Sequence, residues 1–304
     1  MVDLSVKIGN LLLNNPILTA SGTFGSGEEF TPFVDLNRLG GIVTKAVTPE
    51  PRAGNPNPRI AETSSGLLNS IGLANVGVHR FVQEKLPFLH SLTTKVFINV
   101  AGKTIDEFVK VIEIIEQAGG VDGYEINISC PNVKEGGMAF GTNPKITEQI
   151  TSETRKITDK CLIVKLTPNV TSISEIARAA EAGGADALSV INTLVGMAVD
   201  IHSRQPRLAT VTGGLSGPAI KPVALAKVYE VVNAVNIPVI GVGGIMTVED
   251  VVEFLIIGAI AIQVGTANFI NPDISEQLVV ELENFCEKKR LKKITELIGS
   301  LKLN

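Results

Sequence analysis

Tryptophan is absent, and aromatic residues make up only 4% of the 304 residues, so the core must be built from aliphatic side chains. Cysteine is scarce. Cys130, Cys161 and Cys286 are too widely spaced for a disulfide framework or for a metal or iron–sulfur ligand set, and a reducing cytoplasm is the default compartment. Histidine is scarce too, and His79, His90 and His202 lack carboxylate or metal-ligand spacing, so neither histidine chemistry nor a bound metal is predicted. The net charge is only −4, which leaves no basic footprint for nucleic acid. The longest apolar run, Phe254 to Ile262, is far too short to span a bilayer, and no membrane association is predicted. Met1-Val2-Asp3-Leu4-Ser5 has no basic segment followed by an apolar one, so no signal peptide is read. There is no low-complexity tract and no long-period repeat.

What is abundant is valine, isoleucine, leucine, alanine and glycine, the composition of a parallel sheet buried on both faces by helices. Short β-like runs alternate with longer amphipathic ones. The strand candidates are Pro16–Ala20, Gly41–Ala46, Val96–Val100, Gly123–Ser129, Leu162–Thr167, Ala187–Asn192, Pro238–Gly243 and Ala261–Gly265. The clearest helix is Thr104–Ala118, with Thr104 as N-cap, Glu107 completing a capping box, and Phe108, Val111, Ile112 and Ile115 on one face. Further helices are predicted at Ile173–Ala182, Lys221–Val235, Val248–Ile257 and Ile274–Lys289. Eight strand–helix repeats in one composition regime predict a single (β/α)8 TIM barrel domain over residues 1–304. The alternative, a doubly wound sheet, lacks a Gly-rich dinucleotide fingerprint after the first strand. Leu4–Asn14, with its Gly9-Asn10 turn, reads as a short N-terminal β-hairpin that closes the barrel bottom.

Three connections are longer than linkage requires: Pro49–Asn75, Cys130–Asn143 and Thr193–Lys221. Long Gly-rich loops after strands lie on the face where barrel active sites are built. Cys130–Asn143, with Gly136, Gly137 and Gly141 as hinges, reads as a lid.

The most informative stretch is Glu125-Ile126-Asn127-Ile128-Ser129-Cys130-Pro131-Asn132. Apolar and polar residues alternate with the period of a strand, and the strand ends in a Cys-Pro loop. A carboxylate and an amide inside a sheet need hydrogen-bond partners. Cys130 is the candidate proton-transfer group; the competing reading is a small buried hydrophobe, which is accepted for Cys161 and Cys286. Gly243-Gly244 and Gly265-Thr266 end strands seven and eight. Such loops commonly form a phosphate site, although each alone also reads as a tight turn. Gly217 offers a further backbone donor. Lys45 and Lys165 interrupt apolar strands and require partners. Either they form an internal ion pair, for example with Glu125, or they face an anionic ligand in the barrel mouth. Amides recur at strand ends: Asn69, Asn127, Asn132 and Asn192, the last beside Thr193. Together they suit a planar, imide-like ligand.

The chain resembles the dihydroorotate dehydrogenase family over nearly its whole length. The resemblance is carried by Ala20-Ser21-Gly22, Thr44-Lys45, Gly54-Asn55-Pro56-Asn57-Pro58-Arg59, Asn69-Ser70-Ile71-Gly72-Leu73, Asn127 through Asn132, Asn192-Thr193, Gly243-Gly244 and Gly265-Thr266. A cysteine at 130, where membrane-associated class 2 members carry serine, is similar to class 1. Val6 through Leu11 and Thr212 through Pro222 resemble the class 1B catalytic subunit; class 1A usually has methionine at the position of Ile71 and proline at that of Ala74. The resemblance implies an FMN enzyme that oxidises dihydroorotate to orotate in pyrimidine synthesis. It implies FMN contacts at Ser21, Lys45, Ala46, Asn99, Asn127, Lys165, Ile191, Gly217, Gly243, Gly244, Gly265 and Thr266. Substrate contacts are implied at Lys45, Asn69, Ser70, Ile71, Gly72, Leu73, Asn127, Asn192 and Thr193. Cys130 is implied as the base at ring carbon 5. It further implies a partner electron-transfer subunit carrying FAD and an iron–sulfur cluster, NAD+ as final acceptor, and a heterotetramer of two subunits of each kind. The alternatives are the flavin subunit of a dihydropyrimidine dehydrogenase, a fumarate-linked class 1A enzyme, and a non-catalytic phosphate-binding barrel.

Overall fold

Branched aliphatic runs buried on both faces form the strands, as their composition requires. A computed structural model of the chain describes residues 2–129 and 140–303. Eight strands pair in parallel and in chain order into a closed barrel. They are β1 (Ile17–Thr19), β2 (Gly41–Val43), β3 (Lys95–Val100), β4 (Gly123–Asn127), β5 (Cys161–Leu166), β6 (Ala187–Val190), β7 (Val239–Val242) and β8 (Ala261–Val264). Each predicted strand is found; most are trimmed by one to three residues where the chain leaves the ladder, while β3 and β5 begin one residue earlier than predicted. The closed barrel excludes the doubly wound alternative. The N-terminal hairpin pairs Val6–Ile8 with Leu11–Leu13 around Gly9, whose φ is 55°. The Ile8 carbonyl lies against the Cys161 thiol at the start of β5, so the hairpin covers the lower end of the barrel as expected.

Helices pack outside the strands. Ile105–Ala118 buries Phe108, Val111, Ile112 and Ile115, and the Thr104 hydroxyl accepts from the Glu107 N–H. The reciprocal half of the capping box differs from expectation. The Glu107 carboxylate reaches one residue further back and accepts from the Lys103 N–H at 2.7 Å. Ile173–Ala182 matches its predicted bounds, and Lys221–Val232, Val248–Ile256 and Ile274–Lys288 stop slightly earlier than predicted. Four helices among the described residues escape the hydrophobic pattern: Val78–Glu84, Leu86–His90, the single turn Ala267–Ile270, and Pro144–Arg155. The last buries Thr147, Thr151 and Thr154 beside Ile150, so its inner face is largely hydroxyl. Thr151 and Thr154 turn their hydroxyls back onto carbonyls one turn earlier, which lets them pack without unpaired groups. Asn143 caps this helix by accepting from the Lys145 and Ile146 N–H groups, and within the segment expected to be loop Phe140–Thr142 forms a short helical turn that leads into it.

Two of the three long connections are also more than loop. Strands Ile60–Thr63, Gly66–Asn69, Leu194–Met197 and Thr212–Ser216 form an antiparallel sheet in the order Leu194–Met197, Thr212–Ser216, Gly66–Asn69, Ile60–Thr63. Glycines at 213 and 214 sit inside this sheet. A β-carbon at Gly213 would lie 2.6 Å from the Asn69 carbonyl oxygen, and one at Gly214 would strike the Thr193 side chain. No helix among the described residues is long and apolar enough to cross a membrane.

Candidate functional site

The carboxyl ends of the strands open into a cavity of about 560 Å³, with the antiparallel sheet as one wall. Strand ends supply Ser21, Lys45, Ala46, Asn127, Lys165, Ile191, Asn192, Thr193, Gly243, Gly244, Gly265 and Thr266. The wall supplies Asn69, Ser70, Ile71, Gly72, Leu73 and Gly217. The structure therefore brings together residues from positions 21 to 266 that the sequence had marked separately. Among the described residues, one marked residue is not in this lining. Asn99 is fully buried beneath the floor, and its Nδ2 donates to Glu125 Oε1 at 2.6 Å. Cys130 lies outside the described residues, as do Asn132 and the lid glycines 136 and 137. Cys161 and Cys286 are both buried, and burial with the nearby Asp186 carboxylate pushes the Cys161 thiol up to about 12. Neither thiol lines the cavity, which fits a packing role.

One side of the cavity is a backbone cradle. Gly243 and Gly244 have φ of 132° and 76°, conformations that glycine adopts without strain. A β-carbon at Gly244 would stand 2.7 Å from Lys221 Cβ and 3.0 Å from the Gly217 carbonyl oxygen. The two turns therefore touch, and only bare backbone fits between them. Lys221 fastens the arrangement from behind by pairing with Asp250 at 2.5 Å and Glu253 at 3.0 Å. Asp250 also accepts from the Met246 and Thr247 N–H groups that open the next helix. Thr266 Oγ1 donates to Ser216 Oγ at 2.7 Å, joining the eighth strand end to the wall. With Lys221 engaged by carboxylates, an anion here is met by N–H and hydroxyl donors.

The floor is charged. Lys165 is 5% exposed and sits 3.5 Å from Glu125 Oε1, so the internal ion pair weighed from sequence exists for this lysine. Lys45 makes no ion pair or side-chain hydrogen bond among the described residues. Burial pushes its ammonium below the usual lysine range, Arg59 pushes the same way, and Glu29 opposes them. A partly buried cation without a partner, facing a cavity, is arranged for an anionic ligand. Ser70 Oγ, buried in the wall, likewise has no partner among the described residues. No other described lining residue ionises besides Lys45 and Lys165.

The wall at Asn69 through Leu73 is shaped by a tight turn. Gly72 and Leu73 have φ of 75° and 58°, and Asn75 Nδ2 holds the Leu73 carbonyl at 2.7 Å. Asn169 was not singled out from sequence. It donates to the Thr193 carbonyl at 3.0 Å and accepts from the Val195 N–H at 3.0 Å, fixing the Asn192-Thr193 segment. Its place in Thr167-Pro168-Asn169, just past a strand end, was the available signal. Phe269 and Met246 also line the mouth, without a sequence cue.

A barrel with a backbone anion cradle, lysines on its floor and amides around its rim defines an α/β enzyme site for an anionic, planar ligand. The family model for dihydroorotate dehydrogenase matches residues 3–286, and the chain belongs to that family. It is 54% identical over 300 residues to the "Dihydroorotate dehydrogenase B (NAD(+)), catalytic subunit" of Alkaliphilus metalliredigens, covering 99% of each chain. It is 52% identical over 303 residues to the protein of the same description from Bacteroides thetaiotaomicron, covering 100% of each. In fold it is similar to DHODH from Eimeria tenella, solved in complex with ferulenol, with a TM-score of 0.81 over 98% of this chain and 88% of that one, at 23% identity.

Proposed function

We propose that this chain is the catalytic subunit of an NAD+-linked, class 1B dihydroorotate dehydrogenase, a single FMN-binding barrel domain that oxidises (S)-dihydroorotate to orotate. The observation that carries this reading is the pairing of a glycine cradle with two floor lysines in a cavity whose described lining has no carboxylate or histidine. The residues fit FMN: bare backbone at Gly243, Gly244 and Gly265 for the phosphate, Ala20, Ala46 and Ile191 as apolar walls, and Lys165 at the floor for the ring edge that gains charge on reduction. Bound FMN supplies the acceptor for the hydride leaving ring carbon 6. Lys45 offsets the substrate carboxylate. Asn69, Asn127 and Asn192 donate to and accept from its imide edge. Cys130 takes the proton from carbon 5, a task that neither lysine suits while charged.

Electrons leave to a separate subunit carrying FAD and an iron–sulfur cluster, in a cytoplasmic heterotetramer. The relatives' descriptions as catalytic subunits support a separate electron-transfer subunit. The same descriptions favour neither dihydropyrimidine oxidation nor a non-catalytic barrel. The deciding experiment is an absorbance spectrum of the purified chain, alone and with dihydroorotate. A flavin spectrum that bleaches with dihydroorotate and not with dihydrouracil is expected. The isolated chain is also expected to reduce dyes but not NAD+. A colourless protein would overturn the reading, and efficient NAD+ reduction by the chain alone would overturn its class 1B part.

Lys45 gives this reading a pH signature. Its folded-state pKa is depressed, so below the usual lysine value of 10.5 the folded site loses a proton that the unfolded chain still holds, and stability rises with pH through that window. A carboxylate beside Lys45 reverses the shift. Orotate binding should therefore take up protons in the alkaline range and weaken as pH rises. Calorimetry in two buffers of different ionisation enthalpy reads the uptake. Lys45→Met should remove it and weaken orotate binding by roughly 10- to 100-fold, the scale of one charge-assisted hydrogen bond. Unchanged proton uptake in the variant would move the carboxylate elsewhere.

A further inference from the structure

One fully buried group beneath the cavity has no task in this reading. Glu125, on β4, accepts from side chains of three other strands: Asn99 Nδ2 at 2.6 Å, Ser189 Oγ at 2.8 Å and Gln263 Nε2 at 2.7 Å. Burying a carboxylate is unfavourable even when it is paired, and an apolar side chain of similar volume packs a barrel interior as well. The charge at this position therefore calls for a reason beyond packing.

Two consequences of the charge reach the cavity. An ionised carboxylate only accepts hydrogen bonds. Asn99 must turn its NH2 toward Glu125, which leaves its carbonyl oxygen for Asn127 Nδ2, 3.4 Å away. Asn127 Oδ1 then faces the Ser129 N–H at 3.4 Å. The donor and acceptor ends of a cavity-lining amide are thus dictated from below. Lys165 is the second link. Its ammonium is held between Glu125 Oε1 at 3.5 Å and Ser21 Oγ at 3.4 Å, and Glu125 is its one carboxylate partner among the described residues.

We propose that Glu125 is a positioning residue: it anchors the Lys165 ammonium, orients the Asn99–Asn127 amide pair, and so sets how strongly the floor favours a reduced, anionic ring over an oxidised, neutral one. The proposal rests on the flavin reading above, and its test separates the two. Flavin midpoint potential, flavin content and melting temperature are measured for the wild-type chain, Glu125→Gln, Lys165→Met and the double variant. Glu125→Gln keeps flavin and raises the potential, because the opposing charge beside Lys165 is gone. The preference for reduced over oxidised flavin rises about tenfold, about 30 mV for a two-electron couple. Lys165→Met lowers the potential, and the double variant falls between the single ones. A folded, flavin-loaded Glu125→Gln with the wild-type potential, whatever its melting temperature, overturns the proposal. If the single variant does not fold, the double variant is compared with Lys165→Met: a higher potential supports the proposal, and an equal one overturns it. If neither Gln variant folds, Glu125 is a core-stabilising group and the proposal is lost. A wild-type chain without flavin fails the earlier reading instead.

Discussion

Cys130→Ser is expected to slow reduction of the bound flavin by dihydroorotate by roughly 10²-fold or more, the usual scale for losing a positioned base. The argument is partly one of supply. The described cavity lining offers only Lys45 and Lys165 as ionising groups, and Lys165 is tied to Glu125. Lys45 is the one lining group left, and the reading proposed above places the base beside the lining instead: Cys130 directly follows Ser129, which does line the cavity. An ordinary thiol titrates near pH 8.5, within reach of neutrality, whereas a serine hydroxyl is far more basic and is almost never deprotonated there. The deficit of the variant should shrink as pH rises, since more of a weak base is then deprotonated. Flavin content and orotate affinity should change little, because amides and lysines hold the ligands. Stopped-flow flavin bleaching between neutral and alkaline pH measures this. A variant as fast as wild type near neutrality would transfer the role, with Lys45 the next candidate, since burial already lowers its pKa.

The second large effect is expected at the cradle. Gly265→Asp should fold normally and lose FMN. A β-carbon at Gly265 meets only Ala20 Cβ, at an ordinary 3.6 Å, so the fold has room for it. A carboxylate about 4 Å from a bound phosphate repels it by about 4 kcal/mol at an effective dielectric near 20, on the order of 10³-fold in affinity. Gly244→Asp should lose flavin too, but there a β-carbon is also strained by φ 76° and by Lys221, so charge and backbone effects mix. Gly265→Ala is the matched control. The flavin-to-protein absorbance ratio after gel filtration, beside a thermal melt, reads the result. Full flavin retention in folded Gly265→Asp would place the phosphate away from the eighth strand end.

Sequence was a good guide to the barrel and a weaker one to its upper wall. The eight strands were legible because each is a short aliphatic run buried on both faces, and burial is what hydrophobic patterning records. Pro144–Arg155 was not, because its buried face is threonine, which the pattern counts as polar. The antiparallel sheet was hidden behind Gly213 and Gly214, which read as loop although they are strand residues whose missing side chains let Asn69 and Thr193 approach.

The site divides in the same way. By itself, the sequence determined which residues stand at strand ends, since a period of two and a breaking Gly or Pro mark where a strand stops, and it determined the chemical types gathered there. Depth and partnership were decided only by tertiary structure. Asn99 and Asn127 are both amides on inner strands, yet one lies beneath the floor and the other lines the cavity. Lys165 and Lys45 both read from sequence as interrupting apolar strands, yet one pairs with Glu125 and the other, two residues past the end of β2, stands without a partner among the described residues. The physical reason is that alternation along one strand fixes only which way a side chain points. What it meets depends on other strands, from 26 residues away for Asn99 and Glu125 to 144 for Lys165 and Ser21, and closing the barrel is what sets them opposite one another.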